Sequence, residues 1–194
     1  MQPHQNRFNA RILIVLFLIV PVLTVAANAQ KRDYLTDAEI ELVRDAQEID
    51  RRIVVLTKAI DRRFTALGTQ VDSESPGKKV KISGDWGEPP EGTRPELLLD
   101  IKKLLQKAID DIDNVAAHPS SAPPKSKEEK NEAERFPNAV RHLAAAAAKY
   151  VPLLRSELDR TSGEIEKGPI LDSIEFCQQI IEAAQKLPAA EKKK

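Results

Sequence analysis

The sequence predicts an all-α protein: four amphipathic helices in an antiparallel-type bundle, or five if the first stretch breaks, with a long polar loop between the first two. Three observations predict it. Ala, Leu, Glu, Lys and Arg dominate while aromatic residues make up only 4% of the chain, a composition of strong helix formers. Apolar residues recur at steps of three and four in four separate stretches, which places them on one face of a helix. Alternation of apolar and polar residues is confined to Lys79-Val80-Lys81-Ile82-Ser83, too short to carry a sheet alone.

The first helix starts at Leu35-Thr36-Asp37-Ala38-Glu39-Ile40. Thr36 is placed to cap free backbone N–H groups, Glu39 to reach back and complete a capping box, and Leu35 and Ile40 to form a hydrophobic staple. The stripe runs Ile40, Val43, Ala46, Ile49, Ile53, Leu56, Ile60, Phe64 and Leu67, and Gly68 is a left-handed stop. An unbroken helix of this length would exceed most globular helices. A break near Glu48–Asp50 would shorten it, although no Pro or Gly forces one.

Thr69 to Gly92 loses the period and carries Ser75-Pro76-Gly77 and Glu88-Pro89-Pro90-Glu91-Gly92, the turn clusters of a flexible loop. Thr93-Arg94-Pro95-Glu96 is a second capping box, followed by the stripe Leu97, Ile101, Leu104, Ala108, Ile112 and Val115. That helix stops near His118-Pro119, and Ser120 to Lys125 is a linker. Ser126 with Glu129 opens the third helix, which Phe136-Pro137 interrupts or restarts. Val140, Leu143, Ala147, Tyr150, Leu154 and Leu158 carry it onward to about Arg160. Pro152 should kink it. The alanine run Ala144–Ala148 allows close packing of a neighbour. The last helix is expected after Gly168, with Pro169 in its first turn and Ile170, Ile174, Cys177, Ile181 and Ala184 inward. Glu191 to Lys194 is a disordered tail.

Ahead of these helices, Arg7 and Arg11 precede the apolar run Ile12–Val25, and Ala27-Asn28-Ala29 supplies a small-x-small pattern. This is the plan of an export signal cleaved between Ala29 and Gln30. The expected domains are a leader at 1–29, one helical domain at 30–190 with its loop at 69–92, and the tail at 191–194. The mature chain loses Arg7 and Arg11 from 30 basic residues, leaving 28 against 30 acidic, a net of −2. Such a balance provides no basic footprint for nucleic acid.

Several chemistries fail on their residues. Covalent haem attachment needs Cys-x-x-Cys-His, and Cys177 is the only cysteine. Methionine ligation needs a mature methionine, and Met1 is the only one. A di-iron site needs paired Glu-x-x-His, yet Val115 and Ala139 stand three before His118 and His142. No calcium loop, phosphate-cradling glycine loop or activated-serine motif is present. No cofactor, metal or catalytic residue is therefore expected.

The candidate partner-binding residues are Trp86, Arg51, Arg52, Arg62 and Arg63. Ile49-Asp50-Arg51-Arg52-Ile53 repeats eleven residues on as Ile60-Asp61-Arg62-Arg63-Phe64. Eleven residues make nearly three whole turns, so the two units lie on one face. That face reads as a basic ridge for an acidic partner or anionic glycan, or as a solvated face with pairs such as Glu48–Arg52. Trp86, the sole tryptophan, reads as a binding anchor or as a ring folded back onto its own domain. Cys177 on the apolar stripe reads as a buried thiol or as an intermolecular disulfide.

The stretch Tyr34-Leu35-Thr36-Asp37-Ala38-Glu39-Ile40-Glu41-Leu42-Val43-Arg44-Asp45-Ala46-Gln47, followed by Asp50-Arg51-Arg52-Ile53, resembles an uncharacterised family of exported bacterial all-α proteins. The likeness covers the first helix, and the family has no assigned function to transfer. Leu35-Thr36 also resembles the helix start of Spy-like periplasmic chaperones, with Glu39 where those carry glutamine. The expected function is an exported, non-enzymatic helical interaction or structural module whose partner is another envelope or secreted protein, with self-association open. The alternatives are a Spy-like chaperone, a small-ligand carrier with its pocket near Pro152, and a membrane-surface protein if the leader is retained.

Overall fold

In the computed structural model the described residues are 32–71, 84–118 and 127–188. They form five helices and no strand: α1 (Asp37–Asp45), α2 (Ile49–Ala66), α3 (Arg94–Ala117), α4 (Lys127–Asp159) and α5 (Glu164–Gln185). All five belong to the unit Asp33–Lys194. The leader, the Lys79–Ser83 alternation, the Ser120–Lys125 linker and the Glu191–Lys194 tail lie outside the described residues.

Both capping boxes form. The Glu39 N–H donates to the Thr36 hydroxyl, and the Thr36 N–H donates to the Glu39 carboxylate at 3.0 Å. At α3 the N–H and hydroxyl of Thr93 both reach the Glu96 carboxylate, at 2.7 and 2.8 Å. Each box satisfies donors that a helix start leaves free. Gly68 stops α2 with φ of +80°, a conformation that only glycine adopts cheaply.

The first stretch is two helices rather than one. Ala46 takes ψ of 74°, outside helical geometry, and its carbonyl accepts from the Arg52 Nε at 2.9 Å. A side chain six residues downstream holds the elbow that no Pro or Gly marks. The change of direction also changes which residues go inward: Leu42, not Val43, is buried, and with Ala46 and Val55 it forms a small separate apolar cluster.

The main core is built from α2 through α5. Its fully buried members include Ile53, Leu56, Ile60, Phe64, Ile101, Leu104, Leu143, Leu154 and Ile170. α2 packs on α3 and α4, and α5 packs on α3 and α4, while α1 lies chiefly on α2. The Phe64 and Tyr150 rings meet at 5.4 Å between centroids, within the range of favourable aromatic pairs.

Two expected helix boundaries move. α4 is continuous across Phe136-Pro137 as well as Pro152. Burial of Ala139 and Val140 just beyond Pro137, and the Arg135–Glu48 ion pair at 2.9 Å just before it, hold the turn that proline weakens. α5 begins at Glu164, not after Gly168, so Pro169 is internal. Proline removes the donor that would meet the Ile165 carbonyl; Ile165 is 80% exposed, leaving that carbonyl to water.

Arg94 explains why α5 starts early. Its Nη1 donates to Glu157 of α4, and its Nε donates to Glu166 of α5 at 3.1 Å. Its Nη2 reaches the Glu157 carbonyl and the Thr161 hydroxyl, each at 3.2 Å. Glu157 is wholly buried and also accepts from the Thr69 hydroxyl at 2.8 Å. One guanidinium thus straps three helix ends. Removing one partner of a buried pair leaves a poorly compensated charge, here with the exposed Arg160 still 3.4 Å from Glu157. Arg94→Met is expected to cost about 3 kcal/mol in urea unfolding, and the Arg94→Met, Glu157→Gln double variant to recover more than half of it.

Candidate functional site

The five candidate residues fall into different surroundings. Arg51 is exposed. Arg52 is half-buried and holds the Ala46 carbonyl. Glu48, a candidate partner for Arg52, pairs instead with Arg135.

Arg63, at the position in the second repeat unit that Arg52 holds in the first, is only 1% exposed. Its Nη1 donates to Glu39 at 2.5 Å and to the Ala59 carbonyl at 3.0 Å, and its Nη2 to the Tyr34 carbonyl at 2.6 Å. Asp100 of α3 stands 3.9 Å from its Nε. Glu39 is itself fully buried. The capping glutamate of α1 therefore also neutralises the arginine at the heart of the fold.

Arg62 turns the other way and collects carbonyls. It donates to Trp86 O at 2.5 Å, to Gly87 O at 3.3 Å, to Glu88 O, and to Glu39 at 3.1 Å. Trp86 packs on the Leu42, Ala46 and Val55 cluster. Lys58 lies 4.2 Å and Arg62 5.6 Å from its ring centroid, the placement of cation–π contacts. The approach is close: a Cβ on Gly84 would stand 2.5 Å from Leu42 Cδ2. Of the readings open for Trp86, the ring folded onto its own domain matches this geometry. Its Nε1 is buried with no hydrogen-bond acceptor among the described residues.

A second polar line runs between α2 and α4. The buried Tyr150 hydroxyl donates to Asp61 at 2.7 Å and lies 2.9 Å from the Thr57 carbonyl. The Thr57 hydroxyl is 3.1 Å from His142 Nε2. Burial pushes the Asp61 carboxyl above its ordinary range, opposed by the Tyr150 hydrogen bond and by Lys149 and Lys58. Burial, helped by Lys149, pulls His142 below its ordinary value. Cys177 is free and buried, and desolvation pushes its thiol up to about 12, so it carries little nucleophilic thiolate near neutrality.

The elbow at Ala46–Glu48 opens onto a cleft of about 320 Å³ between α2, α3 and α4. Ile49, Val115 and Phe136 give it apolar walls, and Arg52, Asp111 and Asn114 give it polar groups. Asp111 Oδ1 accepts from Lys107 at 2.6 Å, while its Oδ2 is buried and has no hydrogen-bond donor among the described residues. The cleft lies on the Pro137 side of α4, not beside Pro152 and the alanine run where a ligand pocket was expected. Its members come from the elbow and three helices, and of them the sequence singles out Arg52 alone as a binding candidate.

Among the described residues no group of three His, Cys, Asp or Glu side chains is placed to share a metal ion, and no helix is long and apolar enough to cross a membrane. No family model, curated protein or solved structure matches the chain.

Two outcomes follow. Arg62→Ala removes the donor to three consecutive carbonyls; Trp86 emission should shift to the red, with a stability loss of about 1–2 kcal/mol. Unchanged emission would separate the ring from that anchor. For pH, the fold holds His142 neutral, so its contribution is complete above the unfolded value of 6.5 and is lost as pH falls below it. Asp61 acts oppositely: the fold binds its proton more tightly than the unfolded chain, so stability rises as pH falls through its raised value, completing below 3.8. Asp61→Asn keeps an acceptor for Tyr150. It should raise the urea midpoint at about pH 7.5 and abolish the compensating gain toward about pH 4, whereas His142→Gln should flatten the loss that begins below 6.5.

Proposed function

We propose that this chain is an exported, non-enzymatic interaction or structural module of the cell envelope or exterior, cleaved after Ala29, with α2 to α5 arranged as an antiparallel-type bundle. The observation that carries the reading is how the interior charges are used. Glu39, Arg63 and Glu157 are buried in contacts that tie separate helices together, rather than gathered around an open cavity as acid–base chemistry requires. The pairing of α2 and α5 each with both α3 and α4 supports the bundle. The positive start, apolar run and small-x-small end of residues 1–29 support export. A partner would meet the outer helix faces, where Arg51 remains exposed.

A second reading, a small-ligand carrier, is favoured by one specific observation: the elbow cleft with its undonated Asp111 oxygen. Tagged protein expressed in an enveloped bacterial host tests the first reading. Expected are a mature terminus at Gln30, recovery in the envelope or medium, and a stoichiometric cross-linked partner that Arg51→Glu weakens. An intact Met1 terminus with the protein in the cytoplasm would overturn it.

A further inference from the structure

The elbow cleft leaves one lining charge without a counterpart. Glu48 is balanced by Arg135 at 2.9 Å, and Asp111 by Lys107 at 2.6 Å with its other oxygen buried. Arg52 forms no ion pair among the described residues and engages the chain only through Nε, which donates to the Ala46 carbonyl. That bond fixes the direction of the guanidinium, while Nη1 and Nη2, four N–H donors in a planar fork, meet no acceptor among the described residues. Unlike Arg63 Nε, neither is sealed from solvent. The fork reaches back past the first turn of α2, where Glu48 gives no side-chain cap and the helix dipole adds positive potential. The walls beside it are apolar. Ile49 and Phe136 are half-buried, and Val115 is 36% exposed, one of three large hydrophobic residues left in solvent among the described residues. The volume of about 320 Å³ lies at the small end of ligand sites.

We propose that the cleft binds a small monocarboxylate with an apolar tail, its carboxylate on the Nη1–Nη2 fork of Arg52 and its tail against Ile49, Val115 and Phe136. The inference rests on the carrier reading and adds the ligand class. A planar carboxylate accepts two parallel N–H bonds from such a fork. A dianion would bring a second negative charge that one unpaired arginine leaves unmatched, beside Glu48 and Asp111. An amine would meet the repulsion of Arg52, and both acids of the cleft already hold their own cations. A neutral apolar compound would leave the fork unused.

The test is a titration of isotope-labelled protein with hexanoate, acetate, hexanamide and hexylammonium, reading the Arg52 Nε–H and Val115 methyl signals. Hexanoate is expected to shift both. Hexanamide, which loses the charged hydrogen bonds, and acetate, which loses the tail, should each bind about tenfold or more weakly, and hexylammonium should move neither signal. Because Arg52 also holds the elbow, two variants that cut the Glu48–Arg135 pair from opposite ends separate charge from structure. Glu48→Gln removes an acid and frees Arg135 as a second cation, so hexanoate should bind severalfold tighter. Arg135→Gln frees Glu48 to compete for Arg52, so hexanoate should bind severalfold weaker. If hexanamide binds as well as hexanoate, or if both variants move the affinity in one direction, the carboxylate assignment is overturned while the cleft remains a ligand site. If no compound moves the cleft signals, both the assignment and the carrier reading at this cleft are overturned.

Discussion

The buried pair of Glu39 and Arg63 is the constraint on which the amino-terminal half depends. Taking two such charges from water is costly unless their remaining hydrogen-bonding groups are met. Here most are met, from several directions, while Arg63 Nε has no hydrogen-bond partner among the described residues and Asp100 stands 3.9 Å from it. Glu39 accepts from Arg63, Arg62 and the Thr36 amide, and Arg63 reaches the Tyr34 and Ala59 carbonyls. To satisfy one ion pair, α1 must lie on α2 and the segment before α1 must turn back. Arg62, sharing Glu39, then fixes the backbone of residues 86–88 on the same side. Burying the pair selects one arrangement of these pieces, because displaced alternatives leave a charge unmatched.

The features legible in the sequence are those that close within a few residues. Thr36 with Glu39 and Thr93 with Glu96 are local circuits, and both form as their spacing predicts. The stripes through Ile53, Leu56 and Ile60, and through Leu97, Ile101 and Leu104, needed only the helical period, and these residues are buried. The features left open depend on particular partners. The elbow, offered by the sequence as one of two possibilities near Glu48–Asp50, is held by Arg52; the early start of α5 is held by Arg94 seventy-two residues before Glu166, and the passage of α4 through Pro137 by packing on both sides. The eleven-residue repeat shows the limit well. Arg51-Arg52 and Arg62-Arg63 share a spacing, yet Arg52 is half-buried where its counterpart Arg63 is fully buried, because Glu39 and Asp100 flank the second unit.

The site follows the same division. Trp86 was visible as a singular residue, but whether it faces a partner or its own domain depends on Lys58, Arg62 and the Leu42 cluster. The elbow cleft was invisible because it exists only where the α1–α2 break meets the carboxy-terminal end of α3 and the amino-terminal third of α4. A polar interior used for tethering and a separate cleft beside an unmet acceptor describe a helical frame with a small recess. The first is the basis of the proposed interaction module, the second of the alternative carrier reading.

Native-state hydrogen exchange on Glu39→Gln is the most direct measurement of whether the buried pair organises the amino-terminal half. With the carboxylate neutralised, α1 and the amides at 86–88 should lose protection together, while the core amides of α3, α4 and α5 keep theirs, because cooperative units open separately when their own tether is cut. Uniform loss across all five helices, or none at α1 and 86–88, would contradict it.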